Sequence, residues 1–245
     1  MSVKAIILAA GTASRLRPLT SDRPKCLLKI GERTLLERSM DALIAAGVSE
    51  FCIVTGYLHN LIEDFVSNRY PGLKVTFIHN EVYDSTNNIY SLYLARPVAE
   101  GSEVLLLDSD LVYDPEIARL MVSATDDNVL TLIRHDLGEE EMKVVTDAQG
   151  QITEISKTCS PAQAAGESLG IEKMGPAYTR ALYKELEVMM NGEHLENKFY
   201  ELAFERLIPQ GHSFRILDVT DHFSCELDTV EDFENAKSLI PASLF

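Results

Sequence analysis

An apolar run near the start, Lys4-Ala5-Ile6-Ile7-Leu8-Ala9-Ala10, feeds straight into a loop rich in Gly, Ser, Thr and Pro that lasts from Gly11 to Pro24. A run this short with turn formers behind it reads as a buried strand. The next segments alternate. Thr34-Leu35-Leu36-Glu37 is a capping box, Leu36, Met40, Leu43 and Ile44 keep helical spacing, and Gly47 is placed to end that helix. Residues 51–55 read as a strand, 58–68 as a helix, 74–79 as a strand, 89–95 as part of a helix, and 103–107 as an apolar strand closed by Asp108-Ser109-Asp110. Such alternation predicts an α/β chain whose parallel, helix-covered sheet continues through about residue 133.

The second half reads differently. Residues 142–146 and 151–156 flank Asp147-Ala148-Gln149-Gly150, a hairpin pattern. Helices are expected at 180–190, 198–207 and 230–239, and a strand at 214–219. No internal repeat, low-complexity tract or long linker interrupts the chain. One domain over residues 1–245 is therefore expected.

Apolar residues make up 46% of the chain, a globular composition. No segment approaches the ~18 consecutive apolar residues of a membrane span. Residues 5–10 are too short for a signal-peptide core. A cytoplasmic protein is expected. Net charge is 22 − 38 = −16, which disfavours nucleic acid and anionic membranes as partners. Yet residues 1–38 hold eight Lys/Arg against three Asp/Glu, for +5, and the remainder carries 14 − 35 = −21. A basic start on an acidic chain suggests a local anion site. The four cysteines, Cys26, Cys52, Cys159 and Cys225, are far apart and lack metal spacing, so they read as reduced core thiols.

The chemistry of an anion site is present in the first loop, Gly11-Thr12-Ala13-Ser14-Arg15-Leu16-Arg17-Pro18-Leu19-Thr20, followed by Pro24-Lys25. Gly11 lets the backbone turn sharply beside a ligand. Small residues from Thr12 to Ser14 keep amides open to phosphate oxygens. Arg15 can grip a phosphate with two parallel bonds, and Lys25 adds a compact charge. On composition alone a basic surface loop explains these residues as well as a site does. A P-loop is excluded because GxxxxGK[ST] is absent, and a GxGxxG fingerprint because Ala13 and Leu16 occupy its later glycine positions. Two acidic pairs stand out, Asp108-Ser109-Asp110 just beyond a strand's carboxyl end and Glu226-Leu227-Asp228 late in the chain. Open α/β sheets put ligands at such strand ends.

Together, AIILAAG-x-x-SRLRPLT-x-x-x-PK resembles the signature of the sugar-phosphate nucleotidyltransferase superfamily, with Ala13 standing where a second glycine is usual. The segment His79-Asn80-Glu81-x-Tyr83-x-x-x-Asn87-Asn88-Ile89-Tyr90-Ser91-Leu92-Tyr93 resembles a narrower branch, the phosphocholine and 2-aminoethylphosphonate cytidylyltransferases. The resemblance implies a nucleotidyltransferase fold, a Rossmann-like, mostly parallel (mixed) sheet with helices on both faces. It assigns residues 1–133 to nucleotide and 134–245 to acceptor. It implies transfer of CMP from CTP to a small phosphate or phosphonate monoester, with release of pyrophosphate.

The same resemblance implies residue roles. Leu8, Ala9, Ala10, Gly11, Thr12, Ala13, Ser14 and Arg15 would line the nucleotide, with Asn87, Asn88, Ser91 and Asp108. Arg15 and Lys25 would be catalytic. Asp110, Glu226 and Asp228 would hold Mg²⁺, which needs few carboxylates when substrate phosphates supply the rest. Lys157 in Glu154-Ile155-Ser156-Lys157 and Glu167 in Gly166-Glu167-Ser168-Leu169-Gly170-Ile171 would meet the acceptor. A cationic acceptor favours aromatic rings with carboxylates. With no Trp in the chain, the rings available are Tyr83, Tyr90, Tyr93, Tyr113 and Tyr178, and Tyr113 and Tyr178 are expected at the acceptor. The alternatives are a pyrophosphorylase acting on a hexose 1-phosphate and a non-catalytic subunit of the same fold. A homo-oligomer is left open.

Overall fold

The computed structural model describes residues 3–241 and 244. Strand β1 (Lys4–Ala9) leads through the long loop to a small hairpin, β2 (Lys29–Ile30) and β3 (Arg33–Thr34), and to helix α1 (Leu35–Ala45). Then come β4 (Glu50–Thr55), α2 (His59–Arg69), β5 (Lys74–His79), α3 (Asn88–Leu94), the short α4 (Arg96–Ala99) and β6 (Val104–Asp108). After them lie β7 (Leu111–Tyr113), α5 (Pro115–Ser123) and β8 (Val129–Ile133). The second half holds β9 (Lys143–Thr146), β10 (Ile152–Ser156), β11 (Ala164–Met174), α6 (Pro176–Asn191), α7 (Glu201–Leu207), β12 (Arg215–Asp218), β13 (Ser224–Glu226) and α8 (Val230–Leu239).

The main sheet runs β10-β9-β11-β6-β1-β4-β5, with β8 bonded to β11 and β12. β6, β1, β4 and β5 are parallel, and β11 joins them antiparallel along β6, so the sheet is mixed and mostly parallel in its first half. Its two faces follow from strand alternation. Ile6, Leu8, Cys52 and Val54 enter one core with α3, α6 and α7; Ala5, Ile7, Ala9, Phe51 and Ile53 enter the other with α1, α2 and α5. A third, smaller core lies under the basic loop. Leu16, Leu28, Ile30, Val112 and Leu227 meet there against Phe233, Ala236 and Ile240 at the end of the chain. Leu16 follows Arg15, and Leu227 separates Glu226 from Asp228, so this apolar platform holds the loop and the late acidic pair together.

The capping box forms as expected. The Glu37 amide donates to Thr34 Oγ1 at 3.0 Å and the Thr34 amide to Glu37 Oε2 at 3.4 Å. Gly47 follows α1 with φ +100°, a left-handed turn that suits glycine. Three expectations need correction. The parallel arrangement stops at β6: β8 lies beyond β11 and is antiparallel to it. The strand between them, β11, is eleven residues long and was not expected at all. Helix α6 begins at Pro176, where a proline at the first turn is pre-set for a helix, and α7 spans only Glu201–Leu207. The four cysteines are free, and burial pushes the Cys26 and Cys52 thiols up to about 12, as for inert core residues. Among the described residues no helix is long and apolar enough to cross a membrane.

Candidate active site

A cleft of about 400 Å³ opens at the carboxyl ends of β1 and β6. Leu8, Ala9, Ala10, Gly11, Ala13 and Arg15 form one side. Ala13 has φ 47°, in the left-handed region, at the position where the resemblance places a glycine. An alanine there costs about 1 kcal/mol of backbone strain. The strained turn is held by Thr20 Oγ1, which donates to the Ala13 carbonyl at 2.9 Å, and by the Leu16 amide at 3.0 Å. Thr12 and Ser14 are not among the residues that line the cleft; Ser14 begins a short 3₁₀ turn and accepts from the Arg17 amide.

From this loop Lys25 and Arg15 converge on two aspartates that arrive from distant parts of the chain. Lys25 Nζ donates to Asp110 Oδ2 at 2.9 Å and to Asp228 Oδ1 at 2.7 Å. Arg15 donates to Asp228 Oδ2 at 2.6 Å. Backbone pairing explains the meeting. Asp110 sits in the turn between β6 and β7, and β13 pairs antiparallel with β7, Glu226 opposite Leu111, which delivers Asp228 to the same point. Burial works against the charge on Lys25, but Asp110 and Asp228 outweigh it and hold its ammonium above the usual lysine value. Burial likewise pushes Asp228 up, and the Lys25 and Arg15 cations reverse this and leave it below the carboxylate range. More than a third of Glu226 reaches solvent, and burial, with Asp110 and Glu167 nearby, pushes its carboxyl up to about 8.

Among the described residues no three His, Cys, Asp or Glu side chains are gathered closely enough to hold a metal unaided. Asp110, Glu226 and Asp228 all line the cleft, but the two aspartates are drawn to Lys25 rather than to Glu226. This donor set fits an ion that takes one or two protein carboxylates and completes its shell with substrate phosphates, as Mg²⁺ does.

Deeper in, Asp108 accepts from the Tyr200 hydroxyl at 2.9 Å. A Cβ on Gly170 would come within 3.1 Å of Asp108 Oδ2, so the glycine in β11 (φ +76°) makes room for this carboxyl. Burial, then Asp110 and Glu201, raise Asp108 well above the carboxylate range; burial, then Glu201 and Asp108, do the same to Glu172. Glu201 is only 6% exposed, its Oε2 has no hydrogen-bond partner among the described residues, and burial pushes its carboxyl up to about 7. The folded chain thus keeps this proton to about pH 7, whereas an unfolded glutamate releases it near 4.5. Between those values the folded state binds more protons, so Glu201 lowers stability as pH rises across the window. Urea unfolding at pH 5 and pH 8 should show Glu201→Gln gaining on the wild type by on the order of 2 kcal/mol over that interval. An equal pH dependence in both proteins would contradict this protonation.

Asn87, Asn88 and Ser91 line the cleft, but their side chains also build it. Asn87 caps α3 by accepting from the Asn88 amide at 2.7 Å, Asn88 Oδ1 accepts from the Tyr200 amide at 3.0 Å, and Ser91 Oγ accepts from Asn80 at 3.2 Å. Lys157 lies in the cleft with its ammonium 4.7 Å from the Phe199 ring centre. Glu167 pairs with His135 Nε2 at 2.6 Å. Tyr113 and Tyr178 are corrected out of the site. Tyr113 is buried in the core on β7, and Tyr178 packs against Phe214 and Phe204 with ring centres 4.6 and 6.1 Å away. Tyr83 does line the cleft. Sequence reading missed Phe199, Glu201 and Ser168. No spacing marks the first two: Phe199 stands alone in the loop before α7 and Glu201 alone at its first residue.

A family model, the MobA-like NTP transferase domain, matches residues 5–199. The chain belongs to this family. This NTP transferase is 24% identical over 252 residues to the CTP:phosphoglutamine cytidylyltransferase of Campylobacter jejuni, a match covering 95% of the chain and 98% of the relative. It is 38% identical over 109 residues to the choline-phosphate cytidylyltransferase of Streptococcus pneumoniae, covering 44% of the chain and 46% of that protein. It is 28% identical over 244 residues to the CMP-5'-(3-aminopropyl)phosphonate synthase of Streptomyces rubellomurinus, covering 96% of the chain but spanning only 38% of that protein's length. In three dimensions the transferase superposes on the CTP:phosphocholine cytidylyltransferase of Streptococcus pneumoniae with a TM-score of 0.82, at 22% identity, covering 98% of this chain and all of the other; at that identity the likeness speaks for the fold.

Proposed function

We propose that this transferase moves CMP from CTP to a small phosphate or phosphonate monoester and releases pyrophosphate. The observation that carries the reading is the convergence of Lys25 and Arg15 with Asp110 and Asp228 at the cleft mouth, two cations from one loop and two carboxylates from two other segments. The relatives named above, which carry CTP or CMP chemistry in their names or are choline-phosphate cytidylyltransferases, support cytidine as the base.

In this reading an anionic oxygen of the acceptor attacks the α-phosphorus in line. The bond from that phosphorus to the oxygen bridging the β-phosphorus breaks, and pyrophosphate leaves with the electron pair. No protein nucleophile is needed, because the attacking oxygen is already charged at neutral pH. Catalysis then rests on positioning and charge. Arg15, largely exposed at the mouth, would hold the outgoing phosphates. Lys25 would meet the charge that gathers at the α-phosphorus. Asp110 and Asp228, with Glu226, would hold Mg²⁺, which when bound neutralises phosphate charge. Lys157, steadied on the Phe199 ring, would take the acceptor's phosphate. Incubation with CTP, Mg²⁺ and phosphocholine, 2-aminoethylphosphonate or a phosphorylated amino acid amide should release pyrophosphate only when an acceptor is present, with a diphosphate-linked product in the ³¹P spectrum. Pyrophosphate release independent of every acceptor would overturn the reading.

A further inference from the structure

Tyr57 holds the basic loop at both of its ends. It follows β4, which lies beside β1 with Thr55 opposite Ala9. The Tyr57 amide donates to the Ala10 carbonyl at 3.0 Å, just where the loop begins. Its hydroxyl reaches the loop's far side, 3.0 Å from the Thr20 carbonyl and 3.1 Å from the Ser21 carbonyl. Gly56 permits this approach: a Cβ there would come within 2.5 Å of the Ala10 carbonyl oxygen and 2.7 Å of Tyr83 Cβ. Tyr57 itself is not among the residues that line the cleft.

The link continues inward. Thr20 is fully buried, and its hydroxyl donates to the Ala13 carbonyl at 2.9 Å. A line of contacts therefore runs from the Tyr57 phenol through Thr20 to the left-handed turn at Ala13, which lines the cleft with Gly11 and Arg15. Leu58, the residue after Tyr57, has φ 49°, so each end of this line carries a backbone conformation that side chains disfavour. Such strain persists only where the surroundings over-determine it, and it collects at ligand clamps. A loop as long as the one from Gly11 to Pro24, if free to move, would have to be ordered at the moment of binding. That ordering would appear as weaker affinity, by the fraction of time the loop is out of shape.

We propose that Tyr57 is a positioning residue for the nucleotide: it sets the basic loop in its triphosphate-holding shape before the nucleotide arrives, and touches no substrate itself. The inference rests on the reading of this loop as the holder of the CTP phosphates. The test is calorimetric titration of the full chain with CTP and Mg²⁺ in the absence of acceptor, beside steady-state kinetics with a competent acceptor. Tyr57→Phe keeps the ring and removes only the hydroxyl. Its Kd for CTP should rise about tenfold, the worth of one or two hydrogen bonds, and KM for CTP should rise with it. Its kcat should stay within about threefold, because Lys25 and its two carboxylates are untouched. Thr20→Val removes the hydroxyl that holds Ala13 and should raise Kd by a similar factor. The double variant should bind CTP no more weakly than the weaker single variant, within about twofold, because both changes break one link. Should Tyr57→Phe fail to fold by circular dichroism, Thr20→Val decides alone. An unchanged Kd in either folded variant, a lowered kcat at unchanged Kd, or a double variant weakened by the product of the two single effects would overturn the inference and leave cytidylyl transfer standing. A wild type that neither binds CTP nor releases pyrophosphate would overturn both.

Discussion

Lys25→Ala should cut kcat by on the order of a hundredfold or more while moving KM for CTP far less. The expectation follows from the ammonium's surroundings. Only 11% of the Lys25 side chain is exposed, and it is fixed between Asp110 and Asp228, whereas 65% of Arg15 is exposed. In-line attack brings two anions together, and charge concentrates where they meet. A buried, pre-oriented point charge at that spot stabilises the transition state more than bound CTP, which lowers kcat when it is removed. Arg15, at the rim, would contact the outgoing phosphates in both states, so Arg15→Ala should raise KM for CTP more than Lys25→Ala does. Steady-state kinetics of both variants, beside circular dichroism to verify folding, distinguishes the roles. A Lys25→Ala enzyme with normal kcat and only a raised KM would make Lys25 a uniform binding contact.

Asp110→Ala and Asp228→Ala should each lower turnover at saturating Mg²⁺ by on the order of a hundredfold or more, with the fold intact. The two carboxylates, from separate parts of the chain, already enclose one cation, the Lys25 ammonium. With so few protein ligands available, the loss of either removes a large share of what would hold Mg²⁺. Asp228→Ala also releases Arg15, so its KM for CTP should shift as well. The wild type should lose activity in EDTA and regain it with Mg²⁺. Near-normal turnover in either variant would show that its carboxylate is not a required ligand.

The parallel half of the fold was legible because its signals are local. Each of β1, β4, β5 and β6 is a short apolar run between turn formers, and each lies within a residue of its expected position. β11 was hidden by its own composition. It carries Gly166 and Gly170, and its Glu172 and Lys173 point into the protein. Glu172 is met by Ser168 of its own strand, and Lys173 by distant partners, the Ala124 carbonyl and Glu103, that no local pattern reveals. The placement of β8 was missed for the same reason, since it depends on β11 entering the sheet beside β6. In the site, the basic loop and the acidic pairs were readable because their chemistry is written in contiguous residues. Tyr113 and Tyr178 were misplaced because a tyrosine buried in a core and one facing a cleft look alike in sequence. Phe199 and Glu201 were missed because only the packing of α7 brings them to Lys157.

The identity of the nucleotide tests the account most directly. Pyrophosphate release with each of CTP, UTP, GTP and dTTP should be measured at matched Mg²⁺ and one competent acceptor. CTP should win by about tenfold or more in kcat/KM, a difference of roughly 1.4 kcal/mol in transition-state binding. Equal use of UTP, or a clear preference for a purine nucleotide, would contradict the cytidylyl assignment.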